Sequence, residues 1–329
     1  MKETINRVGG IDLIKSVAIF FVISHHFFLN NGYYYEVMQG TEMFIATFLR
    51  WIFYTCVPLF LLTTGYLMRK KELNKKYYKS LSKIVIAYLI ISIITLIVRM
   101  YYFQDGLTWT KGIIEIFRFN TNGYSWYVNM YIGLFLLIPF LNVLYNNLRT
   151  PKEKQVLIIS LILLTSVSRL FPNWWNSIFP LTFYFIGAYI NEYSIKIKKS
   201  LVLSLAFLFL LAETVIAYFF PIFLWLGSWG ALPTVVVATC LFLVLYDIKI
   251  KSGISNLILT TISKLTLEIY LISYIIDKLV YPHLKEYFSN SKEMLPYYVI
   301  IVPFIFIVSV LIAIIVNFVQ RKVFIRKHQ

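Results

Sequence analysis

Ile11-Asp12-Leu13-Ile14-Lys15-Ser16-Val17-Ala18-Ile19-Phe20-Phe21-Val22-Ile23-Ser24-His25-His26-Phe27-Phe28 is an apolar run that carries charge where a plain membrane anchor carries none. At about 1.5 Å per residue, some 20 residues cross the hydrocarbon core of a bilayer, so this run with its flanks predicts a spanning helix. An ionisable side chain deep in a bilayer costs about 2.5–3.5 kcal/mol on insertion scales, and is a functional-site candidate by default. This segment holds Asp12, Lys15, His25 and His26. Lys15 and His26 are 11 residues apart. At about 100° per residue this is three turns plus roughly 20°, which puts both on one face, about 16 Å apart along the axis. Asp12 falls near the same stripe. A polar stripe on a spanning helix must face protein or a water-filled cavity.

Composition extends the membrane reading to the whole chain. Of its 329 residues, 59% are hydrophobic, and the mean hydropathy of +0.74 is too high for a soluble globular protein. Both cysteines, Cys56 and Cys240, sit in apolar runs, which argues against a disulfide framework, and no metal-ligand spacing occurs. The first run lacks a small-residue cleavage site and is expected to stay as an uncleaved span. Ten spans are expected, at about 11–30, 42–68, 84–104, 124–147, 155–172, 176–194, 200–220, 230–247, 262–282 and 296–318. The expected fold is therefore all-α: a polytopic helical bundle forming a single membrane domain over 1–329, without an appended soluble domain.

The net charge of +16 invites a nucleic-acid reading, but its distribution argues for topology. With the N-terminus inside, the cytoplasmic segments hold 21 of the 31 basic residues. They include Lys2, Arg7, the loop Arg69–Lys83, Arg149, Lys152, Lys154, Lys196, Lys198, Lys199, Lys249, Lys251 and the C-terminal Arg321, Lys322, Arg326 and Lys327. The opposite loops hold Lys111, Arg118, Lys285 and Lys292. That bias is the positive-inside pattern, and it places both termini in the cytoplasm. Trp109, Trp174, Trp175, Trp225 and Trp229 fall near predicted outer ends, as in an aromatic belt. Pro58, Gly65, Pro139 and Pro233 interrupt or open spans, where proline removes a backbone donor and kinks the helix.

Within this frame His26 lies about 22 Å beyond the start of its span at helical rise. An imidazole accepts and returns a proton near neutral pH, which suits a general base. Lys15 near the inner edge is placed to meet phosphate. The plainer alternative is that Lys15 snorkels and the histidines hydrogen-bond to neighbouring helices.

The segments that carry these residues resemble the acyltransferase 3 family of integral membrane acyltransferases. Arg7, Ile11-Asp12, Lys15 and His26 match its opening pattern of an arginine, a Leu/Ile-Asp pair, then a basic residue and a histidine ten intervening positions apart. The spacing selects His26 over His25. Val57-Pro58-Leu59-Phe60-Leu61-Leu62-Thr63-Thr64-Gly65-Tyr66-Leu67 is similar to its proline and Ser-Gly-Phe signature. Gly123-Tyr124-Ser125-Trp126-Tyr127 resembles the entry to a later span, and Ile262–Ser273 its penultimate helix. Lys15 stands for the commoner arginine, Thr64 for serine and Ser273 for a frequent histidine. The usual Arg-x-x-Arg pair is replaced by Ser80-Leu81-Ser82-Lys83, with Lys79 adjacent.

The resemblance implies acyl transfer, usually of acetyl, to an extracytoplasmic glycan or lipid-linked polysaccharide. Acetyl-CoA would be a cosubstrate, with no permanently bound cofactor or metal. Its polyanionic end would meet a basic inner face with Lys15, Arg69, Lys79, Lys83 and Thr64 as candidate contacts. The thioester arm has a reach comparable to the Lys15–His26 separation. His26 would act as general base or form a transient acyl-imidazole. Asp12 is expected to pair with Lys15, and Glu268 is a candidate second acid. On the outer side, the aromatic faces of Tyr124, Trp126 and Tyr127 beside Asn129 suit a sugar acceptor, although interfacial aromatics are common. Arg50, Arg99, Arg169, Glu213 and Asp277 are further charges in or near spans, expected to pair within the bundle. Expected partners are acetyl-CoA, the glycan and membrane lipid, without nucleic acid; a homodimer or a cell-envelope assembly partner stays open. Richness in Ile, Lys, Asn and Tyr points to a bacterial chain with an AT-rich genome, and so to the bacterial cytoplasmic membrane. The alternative is a secondary transporter or lipid-glycan flippase using Lys, His and Glu as a proton relay; no internal repeat supports it.

Overall fold

The computed structural model describes residues 9–167, 175–225, 228–251 and 253–326. Lys2, Arg7, Arg169, Trp174 and Lys327 lie outside the described residues. The described regular elements are helical. In chain order they are α1 (Gly9–Asn30), α2 (Gly40–Tyr54), α3 (Cys56–Met68), α4 (Lys75–Tyr101), α5 (Trp109–Phe117), α6 (Trp126–Asn147) and α7 (Pro151–Val167). Then follow α8 (Phe179–Tyr193), α9 (Lys199–Phe219), α10 (Ile222–Trp225), α11 (Leu232–Leu245), α12 (Ile254–Lys264), α13 (Thr266–Tyr287), α14 (Ser291–Met294) and α15 (Tyr298–Arg326).

Among the described residues, six helical stretches are long and apolar enough to cross a membrane. They are α1, α2 with α3, α4, α6, α9, and Ser291–Gln320; α12 with α13 makes a seventh if that bent pair is one span. Ten were expected. The other expected spans fall on α7, α8 and α11, which have 17, 15 and 14 residues. α7 runs to the edge of the described residues; at about 1.5 Å per residue α8 and α11 cover only some 21–23 Å, short of the hydrocarbon thickness. Both have visible stops. α8 ends where Ser194 turns left-handed at φ 44°, and α11 starts with Pro233 in its first turn.

The chain divides into two compact units. The first comprises Met1–Lys70, Leu141–Lys264 and Asn290–Leu295; the second comprises Lys71–Phe140, Leu265–Ser289 and Pro296–Gln329. In the first unit α1 is buried among α2, α3, α11 and α12, so its charged face meets protein, as the sequence required. The expected 42–68 span stands as one stretch, Gly40–Met68, interrupted only at Thr55 between α2 and α3. Pro58 has no N–H to give to the Tyr54 carbonyl, and its ring crowds that carbonyl. Instead Thr55 turns the chain, donating its N–H and its hydroxyl to the Ile52 carbonyl at 3.1 and 2.7 Å.

In lipid, apolar burial gives little drive for helix association, and close backbone approach and polar contacts take its place. α3 and α8 illustrate this. A Cβ on Gly65 would sit 1.9 Å from the Tyr184 carbonyl oxygen, and one on Gly187 would sit 2.1 Å from that of Leu62. The crossing is closed by Asn142, whose Nδ2 donates to the Met68 carbonyl at 2.9 Å and whose Oδ1 accepts from the Tyr184 hydroxyl at 2.6 Å.

The second unit packs α13 against α15 and α4, and α4 against α5. Tyrosines tie its helices together. Tyr77 stacks on Phe135 at 4.4 Å and donates to the Phe135 carbonyl at 2.6 Å. Arg99 gathers the loop around α5, with Nε on Asp105 and Nη1 on Glu115, both at 2.7 Å, and Nη1 also on the Thr121 carbonyl at 3.1 Å.

Candidate functional site

The N-terminal end of α1 is held to α12 by a compact polar network. Asp12 is buried, and its Oδ1 accepts from the Ser263 hydroxyl at 2.6 Å, while Oδ2 accepts from Thr260 at 3.4 Å. Lys15 Nζ donates to the Ser263 carbonyl. Ser16 donates to the Asp12 carbonyl at 2.8 Å and to the Leu259 carbonyl at 3.3 Å. Asp12 and Lys15 therefore converge on one residue, Ser263, from opposite charges. The carboxylate takes its hydroxyl and the ammonium takes its carbonyl. This fixes the lysine at one end of the helix face that carries His26 near the other.

His25 and His26 are both buried near the C-terminal end of α1, with ring centroids 6.4 Å apart. The His26 carbonyl accepts from Asn30 Nδ2 at 2.8 Å. His25 points at a different set of side chains. Its ring meets the Tyr54 ring edge-on at 5.3 Å, and Tyr54 stacks on Trp229 at 5.4 Å. Tyr54 is the last residue of α2 before the break that Pro58 imposes. Adjacent on the helix, the two histidines leave it about 100° apart.

The remaining candidates spread over both units. Thr64 is buried on α3, where its hydroxyl donates to the Phe60 carbonyl at 2.8 Å. Arg69 pairs with Glu192 at 2.9 Å, and Glu192 also holds Lys154 at 2.8 Å. Lys154 lies 4.7 Å from the centre of the Tyr145 ring. So one acid from α8 neutralises two of the basic residues that the sequence assigns to the inner face. Lys79 and Lys83 are exposed on the first turns of α4, in the second unit. Cations at a helix N-terminus oppose the helix dipole, which leaves this end favourable to anions.

Glu268 is buried in the first turn of α13, where the helix dipole favours a carboxylate. In the same unit Tyr124, Trp126, Tyr127 and Asn129 lie at and just before the start of α6. Trp126 and Asn129 are exposed; Tyr124 and Tyr127 are half-buried. Tyr124 meets Tyr270 and Tyr274 at 5.8 and 5.1 Å, and Tyr127 meets Tyr270 at 5.6 Å. The Tyr124 hydroxyl donates to buried Asp277 Oδ2 at 2.6 Å. Asn122 Nδ2 donates to the Leu271 carbonyl at 2.8 Å. This aromatic group is thus built into the α6–α13 packing, with Trp126 and Asn129 presented outward.

Sequence reasoning missed Ser263 and Thr260 as partners of the α1 charges, and Asp277 as the partner of Tyr124. It also missed the rings around Arg50. Only the last had a local signal: Trp51 and Tyr54 follow Arg50 by one residue and by one helical turn.

A helical membrane protein with a charged, protein-facing stripe on its first span is the class that this fold and site define. The chain belongs to the acyltransferase 3 family. The family profile, described as an acyltransferase domain, matches residues 8–314. The match takes in α1 with Asp12, Lys15 and His26, and runs into α15. No curated protein and no solved structure gives a match.

Proposed function

We propose that this membrane acyltransferase moves acetyl from cytoplasmic acetyl-CoA to a hydroxyl of an extracytoplasmic or lipid-linked polysaccharide, with His26 as the catalytic histidine. The observation that carries the reading is the buried α1 face, which has Lys15 anchored at one end and His26 near the other in a family-matched segment. The nucleotide stays at the cytoplasmic side, where Lys15 supplies positive charge, with Arg69, already paired with Glu192, as a further donor contact; in the second unit Lys79 and Lys83 offer exposed positive charge. The thioester arm runs along α1 to His26. There the imidazole takes the acceptor hydroxyl proton as the hydroxyl oxygen attacks the thioester carbonyl. The C–S bond breaks, acetyl passes to oxygen, and the proton returns to the CoA thiolate. Asp12 positions Lys15 through Ser263. Within the second unit, Tyr124, Trp126, Tyr127 and Asn129 offer aromatic faces and an amide to a sugar, and Glu268 is a candidate acid. Thr64 contacts the donor from α3.

The test is a proteoliposome assay. Labelled acetyl-CoA is supplied on one side, with the saccharide-lipid fraction of producing cells reconstituted in the bilayer. Wild type and His25→Ala transfer label to the saccharide fraction, and His26→Ala does not. Equal transfer by His26→Ala overturns the catalytic assignment, and movement of saccharide without label favours a transporter.

A further inference from the structure

Arg50 is 2% exposed, in the middle of an apolar helix. Its contacts are one hydroxyl, one carbonyl and three rings. Nε donates to the Tyr34 hydroxyl at 3.0 Å, and Nη2 reaches the Leu224 carbonyl at 3.4 Å. The guanidinium carbon lies 3.9 Å from the Trp51 ring centre, 4.6 Å from Tyr54 and 5.4 Å from Tyr34. Aromatic faces offset part of a cation's desolvation. Among the described residues no carboxylate pairs with Arg50, so the buried charge lacks the counter-charge that would compensate it.

The deficit is matched by a surplus of donors around it. Arg50 Nη1 is buried and has no hydrogen-bond partner among the described residues. The same holds for Trp51 Nε1 and for Asn31 Nδ2. Both of these groups can only donate. His25 Nδ1, edge-on to Tyr54, is likewise unsatisfied. Trp51 lies directly against the guanidinium, and Asn31 is joined to it through Tyr33 and Tyr34. Asn31 Oδ1 accepts from the Tyr33 N–H at 2.9 Å, the Tyr33 and Tyr34 rings meet at 5.3 Å, and Tyr34 touches Arg50. Buried polar groups in native proteins are nearly always answered, so a cluster of orphan donors around a cation calls for an acceptor-rich anion. Tyr34 is half-buried, which puts the cation one side chain in from the surface.

We propose that Arg50, Trp51 and Asn31 form an oxyanion subsite that recognises a negatively charged saccharide, through a sugar carboxylate or a saccharide-linked phosphate. The fork of Arg50 takes the anion, Trp51 and Asn31 donate to its remaining oxygens, and the half-buried Tyr34 ring flanks the sugar. The saccharide part rests on the acceptor reading above; the oxyanion part does not.

The experiment is equilibrium binding of labelled glucuronate, glucose 1-phosphate and glucose to the full-length protein in nanodiscs of zwitterionic lipid. Wild type binds at least one of the two anionic probes saturably and at least tenfold more tightly than glucose. Arg50→Met loses that preference by tenfold or more, which is about 1.4 kcal/mol. Trp51→Phe keeps the ring, removes one donor and weakens the anion several-fold, which guards against misfolding of the Arg50 variant. Preference for glucuronate identifies a carboxylate, and preference for glucose 1-phosphate a phosphate. The proposal falls if neither anion is preferred over glucose, or if both variants bind like wild type. His26→Ala keeps anion binding while losing transfer. If it keeps both, the transfer mechanism fails and the subsite stands.

Discussion

Replacing Gly65 by alanine tests what holds the first unit together. The new Cβ would lie 1.9 Å from the Tyr184 carbonyl oxygen, where ordinary contact begins at 3.4 Å, so α3 and α8 must part by up to 1.5 Å. The obstructing atom is backbone, which cannot swing aside. Overpacking of this kind costs about 1–3 kcal/mol, and a backbone clash belongs at the upper end. Parting the helices also stretches the Asn142 bonds to Met68 and Tyr184, worth about 0.6 kcal/mol each in a membrane protein. Against this, alanine is favoured over glycine in a helix by about 1 kcal/mol. The net expectation is a loss of about 3 kcal/mol. Gly133, in α6, has nothing within 4 Å of its Cβ, so Gly133→Ala should gain up to about 1 kcal/mol. Reversible unfolding of purified protein in mixed micelles, with rising SDS fraction and far-UV circular dichroism, measures both. Gly65→Ala with Gly187→Ala should lose less than the sum of the two, because one separation relieves both clashes. A Gly65→Ala variant as stable as Gly133→Ala would refute the close crossing.

The polar ties make separable predictions in the same unfolding assay. Ser263→Ala leaves buried Asp12 without its 2.6 Å donor and should cost about 1–3 kcal/mol, whereas Thr260→Ala, losing a 3.4 Å contact, should cost less than about 1 kcal/mol. In the second unit, Tyr124→Phe strips the 2.6 Å donor from buried Asp277 and should cost about 1–3 kcal/mol, while Tyr78→Phe, whose 3.3 Å bond is exposed, should stay within about 0.5 kcal/mol of wild type. A reversed order within either pair would contradict the bonding described.

The helical membrane class was legible in the sequence because it rests on local quantities. Apolar run length predicted α1, and the intramembrane charges predicted that α1 is buried in protein. Pro58 marked the place where the second span is interrupted, since the consequences of a missing donor are felt within one turn. The span count was less legible. The expected spans 176–194 and 230–247 coincide with α8 and α11, but these helices have only 15 and 14 residues, α8 ending at a left-handed Ser194 and α11 starting at Leu232 just before Pro233. The partners of the charges were least legible. Ser263 lies 251 positions from Asp12, and Asp277 lies 153 from Tyr124. No spacing rule reaches across such distances; these pairings exist only once α1 meets α12 and α6 meets α13. The pairing of Arg69 with Glu192 is of the same kind.

The most direct measurement of the central claim is the acetyl content of surface polysaccharide, read by NMR, in cells making wild type, His26→Ala or His25→Ala at matched levels. O-acetyl signals should fall to the level of cells lacking the protein for His26→Ala, and persist for His25→Ala. Unchanged acetylation in the His26→Ala cells would contradict a histidine-dependent acyl transfer at this face of α1.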